Sequence, residues 1–139
     1  MLVIDDESSI RMLCRVNLAA SGIEVLEAED GETGFELGRR ELPDLILLDV
    51  MMPGTDGWEI ARRFAADPKT REIPVVFLTA RAGDEDRRLG EQTGGVGYIV
   101  KPFDPVEIGN VVQDVLTRIE RGEREDLRRA IVHPPEEYR

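Results

Sequence analysis

Apolar residues recur along this chain in two rhythms. Short unbroken runs, Leu2-Val3-Ile4, Leu45-Ile46-Leu47-Leu48 and Val75-Val76-Phe77-Leu78, alternate with stretches where apolar positions return every three or four residues. The runs have the length of strands buried on both faces, the habit of parallel sheets covered by helices. A weaker strand begins at Val25-Leu26 and closes at Asp30-Gly31; another, Tyr98-Ile99-Val100-Lys101, follows Gly94-Gly95-Val96-Gly97. Between the strands the spacing predicts helices. Ile10, Leu13, Cys14 and Leu18 share one face of the first, which Ser8 or Ser9 caps and Gly22 ends. Phe35 and Leu37 mark a short second helix up to Pro43, and Trp58, Ile60, Ala61 and Phe64 a third that stops near Asp67-Pro68. Residues 84–93 make a polar fourth helix. The fifth starts at Pro105, a favoured first-turn residue, with Ile108, Val111, Val112, Val115 and Ile119 as its stripe.

Five strands alternating with five helices predict an α/β fold, a parallel sheet covered on both sides. A length of 139 residues fits one domain. Residues 1–120 form it, and residues 121–139 read as a helical extension or linker: Arg124–Val132 has helical composition, stopped by Pro134-Pro135. Almost nothing precedes the first strand, which points to a trimmed or misplaced amino terminus.

Charge narrows the function. The net charge of −11 disfavours nucleic-acid binding by the body of the domain. Residues 116–139 hold six arginines and six acids, leaving 12 of the 18 cationic and 23 of the 29 acidic side chains in residues 1–115. The arginine-rich tail is expected to be a solvated helix face, with partner docking or dimerisation as the other reading, and His133 simply exposed. The single cysteine, Cys14, excludes an internal disulfide and sits where packing is its natural role. The apolar stretches are strand-sized, with no signal peptide or membrane span, so a cytoplasmic location is expected.

In a parallel sheet the carboxyl ends of the strands line the binding crevice. Here they carry Asp5-Asp6, Asp49, Thr79 and Lys101. Three carboxylates gathered there repel one another, and a hard divalent cation removes that penalty; Mg²⁺ suits few carboxylates with room for water and phosphate oxygens. Lys101 adds a mobile positive charge and Thr79 a hydroxyl donor. This set can handle a phosphoryl group: an acceptor carboxylate, a neutralising metal and two donors.

The segments Ile4-Asp5-Asp6-Glu7, Leu48-Asp49-Val50-Met51-Met52-Pro53-Gly54, Leu78-Thr79-Ala80 and Lys101-Pro102-Phe103 resemble the four signatures of response-regulator receiver domains, in order and in register over residues 1 to about 120. The resemblance implies a flavodoxin-like, doubly wound five-stranded domain in three α/β/α layers. It implies that Asp49 accepts a phosphoryl group from a sensor histidine kinase or phosphotransfer protein. Asp6, Asp49 and the Met51 backbone carbonyl would bind Mg²⁺ directly, Asp5 largely through water, while Thr79 and Lys101 hold phosphoryl oxygens. The Lys101-Pro102 bond would be cis. Tyr98 takes the place of the switching aromatic, whose rotamer follows Thr79 and reshapes the face formed by the fourth helix, fifth strand and fifth helix. Homodimers form through that face in many relatives of this kind with an acidic pair before the aromatic; this chain has Val96-Gly97 instead.

Met51 and Arg81 flank the path of attacking water and offer it no carboxylate or amide, which predicts a long-lived acyl phosphate. Two other functions compete. Mg²⁺-dependent aspartyl-phosphate phosphohydrolases resemble the chain in nucleophile, threonine and lysine, but want a second aspartate where Met51 stands. A flavin-binding flavodoxin-like protein needs a Ser/Thr-rich loop that is missing after the first strand. The favoured reading is a signalling switch with no turnover of its own. A stand-alone receiver and the first part of a longer regulator look alike in this sequence.

Overall fold

A computed structural model describes residues 1–80 and 83–132. Arg81, His133 and the Pro134-Pro135 stop lie outside the described residues. Five parallel strands form the sheet: β1 (Leu2–Ile4), β2 (Leu26–Ala28), β3 (Ile46–Asp49), β6 (Val75–Thr79) and β7 (Gly97–Val100). Their spatial order is β2-β1-β3-β6-β7. The helices are α1 (Ser8–Ala19), α2 (Gly31–Glu41), α3 (Gly57–Ala66), α4 (Asp84–Gln92), α5 (Pro105–Glu120) and α6 (Arg124–Val132). This is the doubly wound α/β fold expected, with α6 as a sixth helix.

Side chains in a strand point alternately to its two faces. Leu2, Ile4, Ile46, Leu48 and Phe77 therefore meet Phe35, Trp58, Ile60 and Phe64 of α2 and α3 on one side. Val3, Leu47, Val76 and Leu78 meet Cys14 and Leu18 of α1 and Ile108, Val112 and Val115 of α5 on the other. Helices cover both faces, so each central run is apolar throughout.

Two local readings are corrected. No side-chain bond from Ser8 or Ser9 caps α1; the cap position is Glu7, in extended backbone at φ −86° and ψ 115°. The Pro-Gly loop after Asp49 carries a small antiparallel hairpin, β4 (Met51–Met52) with β5 (Thr55–Asp56), around Gly54 at φ +70°. Two-residue strands have too few side chains to show an alternating pattern, which is why sequence periodicity passes over them. Asp56 then caps α3, its Oδ1 accepting from the Trp58 N–H at 3.0 Å.

Candidate functional site

The order β2-β1-β3 reverses the winding between β1 and β3, and such a reversal opens a crevice beyond the strands' carboxyl ends. Asp5 and Asp6 follow β1 there, and Asp49 is the last residue of β3. One carboxylate oxygen from each of the three lies within 4.8 Å of the others. Asp5 and Asp49 are buried and Asp6 is exposed, so the cluster opens to solvent on one side.

Lys101, one residue beyond β7, reaches across the crevice. Its Nζ donates to Asp49 Oδ2 at 3.2 Å and stands 3.0 Å from Asp5 Oδ2 and 3.5 Å from Glu7 Oε1. Backbone amides take the remaining oxygens: the Glu7 N–H donates to Asp5 Oδ1 and the Met51 N–H to Asp49 Oδ1, both at 2.9 Å. Asp5 Oδ2 is buried and close to Lys101, yet makes no hydrogen bond in good geometry. Three carboxylates with one ligand oxygen each within 4.8 Å of the others, one of them open to solvent, form a hard-oxygen donor set that fits a divalent cation such as Mg²⁺.

The electrostatics follow from burial. Desolvation pushes the Asp5 carboxyl up, helped by the Asp49 charge and opposed by the Glu7 amide and Lys101. Burial pulls Lys101 down, but its bonds to Asp5 and Asp49 outweigh that, and the net shift is upward. The ammonium is thereby held in its charged form.

Thr79 is buried at the end of β6, next to β3, where Leu78 pairs with Asp49. Its carbonyl accepts from the Lys101 N–H at 2.8 Å, and the Lys101-Pro102 bond is cis. Met51 is exposed beside Asp49. Tyr98 is not part of the carboxylate cluster: it lies in β7, paired with Phe77 of β6, and lines a separate cavity on the α4–β7–α5 face.

Two positioning residues escaped the sequence reading. Arg11 Nη1 donates to the Asp5 carbonyl at 2.6 Å and its guanidinium pairs with Glu27 at 3.4 Å, tying the end of β1 to β2. Gly57 opens α3 hard against the end of β3; a Cβ there would lie 2.3 Å from Val50 Cα and 2.9 Å from the Asp49 carbonyl oxygen. The Asp56-Gly57 pair that opens the third helix was its only sequence trace.

Comparison with known proteins bears on this geometry. A family model described as the response regulator receiver domain matches residues 1–113. The chain belongs to that family. The receiver domain is 41% identical over 125 residues to the phosphate regulon transcriptional regulatory protein PhoB of Pseudomonas aeruginosa, covering 90% of this chain and 55% of that protein. It is 47% identical over 107 residues to the response regulator PleD of Caulobacter vibrioides, covering 76% and 23%. Among solved structures, the chemotaxis protein CheY4 of Vibrio cholerae superposes with a TM-score of 0.78 at 31% identity, covering 82% of this chain and 95% of that one. The receiver domain thus spans about half the length of PhoB and under a quarter of PleD. Among the described residues no helix is long and apolar enough to cross a membrane.

Proposed function

We propose that this receiver domain takes a phosphoryl group onto Asp49 from a sensor histidine kinase or phosphotransfer protein in the cytoplasm. The observation that carries the reading is Lys101 bridging Asp5 and Asp49 at the mouth of a three-carboxylate cluster. An Asp49 oxygen attacks the phosphorus of a phosphohistidine; the O–P bond forms, the P–N bond breaks, and the electron pair returns to the imidazole nitrogen. Lys101 and the Thr79 hydroxyl then hold phosphoryl oxygens. Asp5, Asp6, Asp49 and the Met51 carbonyl would hold Mg²⁺, which supplies charge neutralisation at the transferring oxygens.

The domain acts as a switch rather than a catalyst of turnover. Thr79 moves to the phosphoryl group, Tyr98 turns inward behind it, and the α4–β7–α5 face changes shape. Residues 1–120 are the receiver and residues 121–139 a helical extension or linker; PhoB and PleD are themselves longer than the part this chain matches. Incubation with acetyl phosphate and Mg²⁺, read by intact mass, tests this. One phosphoryl group per chain, lost in Asp49→Asn, supports the reading. Continuous phosphate release would make the chain a phosphohydrolase instead.

A further inference from the structure

The tail was expected to be a solvated helix, and part of it is not. α5 ends at Glu120 and Gly122 follows at φ +78°, with the Glu123 N–H donating to the Arg118 carbonyl at 2.9 Å and the Gly122 N–H to the Ile119 carbonyl at 3.0 Å. These bonds make a Schellman motif, which turns the chain back at a left-handed glycine. α6 consequently lies across β7, the edge strand of the sheet, and touches α4 and α5.

Three contacts seat it. Leu127 is buried in the same cluster as Val96, Ile99, Val112 and Val115. Arg128 Nη2 donates to the Glu91 carbonyl in the last turn of α4 at 3.1 Å. Arg124 Nη2 donates to the Glu72 carbonyl before β6 at 2.6 Å. A cavity of about 690 Å³ lies among these elements, and Tyr98, Arg87, Val111 and Asp114 share its walls with Leu127 and Ala130 of α6. The Arg87 guanidinium stands 4.9 Å from the centre of the Tyr98 ring. The ring assigned to the switch therefore walls the same cavity as α6.

We infer that α6 is a displaceable cover of the α4–β7–α5 face, docked while Asp49 is free and released when the face is remodelled around Tyr98. The inference rests on the reading of Asp49 as acceptor. A nine-residue helix does not hold its shape alone in water, and among its described side chains Leu127 is the deeply buried anchor. Tyr98 packs toward the Phe77 side and Leu127 into the opposite core, so what the ring and α6 share is the wall of this cavity; turning the ring inward changes that wall, and a short helix of this kind sits at the low-stability end of a fold. The space beside the ring leaves room for such repacking. Release would also expose the face to whatever output or partner it serves.

Linkage makes the coupling reciprocal: if phosphorylation releases α6, releasing α6 must favour the phosphorylated form by the same factor. Hydrogen exchange on the 139-residue chain with Mg²⁺, with and without beryllofluoride, reads the first half. Amides of residues 124–132 are expected to exchange about 10-fold faster with the mimic bound. Leu127→Asp should show fast exchange without it and bind beryllofluoride about 10-fold more tightly. Arg128→Ala, which leaves the core intact, should move both readouts the same way by less. Bound mimic with unchanged α6 exchange overturns the inference, as does unchanged affinity in both variants. Failure of the wild-type chain to bind the mimic or to take label from acetyl phosphate overturns the acceptor reading, and the inference with it.

Discussion

Lys101 Nζ stands 3.2 Å from Asp49 Oδ2, joining residues 52 positions apart in the chain. The same ammonium lies 3.0 Å from Asp5 Oδ2, so one cation offsets two buried carboxylates. Replacing it with methionine leaves both acids facing each other. Loss of one partner in a buried ionic cluster costs about 3 kcal/mol or more, and loss of a donor to a transferring group about 10²-fold in rate. Lys101→Met is expected to lower the unfolding midpoint in urea, with partial recovery in Mg²⁺, and to slow labelling by acetyl phosphate by about that factor. Unchanged stability in metal-free buffer would mean that the cluster is neutralised by other means.

Asp5 provides the pH test. Its carboxyl is raised by desolvation, so the folded protein binds a proton more tightly than the unfolded chain does. The linked stabilisation is complete below the ordinary carboxyl value of 3.8 and fades as pH rises through the higher folded value. At neutral pH without metal, Asp5→Asn should therefore raise Tm, and the increment that Mg²⁺ adds should shrink. A lower Tm at neutral pH, with full Mg²⁺ stabilisation retained, contradicts the argument.

Met51 sits exposed beside Asp49, the proposed acceptor, and donates its backbone N–H to it. With an apolar side chain there, nothing at this position orients water for attack on an acyl phosphate. Met51→Asn is expected to shorten the phosphoryl lifetime by about 10²-fold, the lower end of what a positioned proton-handling group contributes. Decay of the wild-type acyl phosphate within seconds, with no acceleration in the variant, tells against it.

Gly57→Ala probes the backbone beneath Asp49, the proposed acceptor. The added methyl meets Val50 Cα and the Asp49 carbonyl oxygen, main-chain atoms with little freedom to move. Overpacking of this kind costs about 1–3 kcal/mol. A lower Tm with slower labelling of Asp49 is expected; full activity at full stability would show that the β3–α3 junction relaxes freely.

Cys14 is buried, and desolvation together with the nearby Asp5 charge pushes its thiol from 9.0 up to about 12. Its proton is kept on folding, so stability from this group is present below about pH 9 and lost toward pH 12. The native thiol should resist a disulfide reagent at about pH 8 and react fully once unfolded. Rapid modification of the folded chain would place the thiol outside the core.

Much of this protein was legible in residue order alone. The apolar runs at Leu2, Leu45 and Val75 announced strands buried on both faces, because only a strand covered twice needs no polar side. The acids, threonine and lysine that end those runs marked one edge of the sheet, since parallel strands present the same end together. Periodicity is a property of single elements, however, and contacts between distant ones leave no period. That Lys101 bridges Asp5 and Asp49, that Gly57 must lack a side chain beneath β3, and that Arg11 braces the Asp5 carbonyl were decided by the tertiary fold. So was the course of α6. Its arginines look in sequence like a solvated face; a left-handed glycine at residue 122 turns the helix onto β7, and there Arg124 and Arg128 donate to backbone carbonyls.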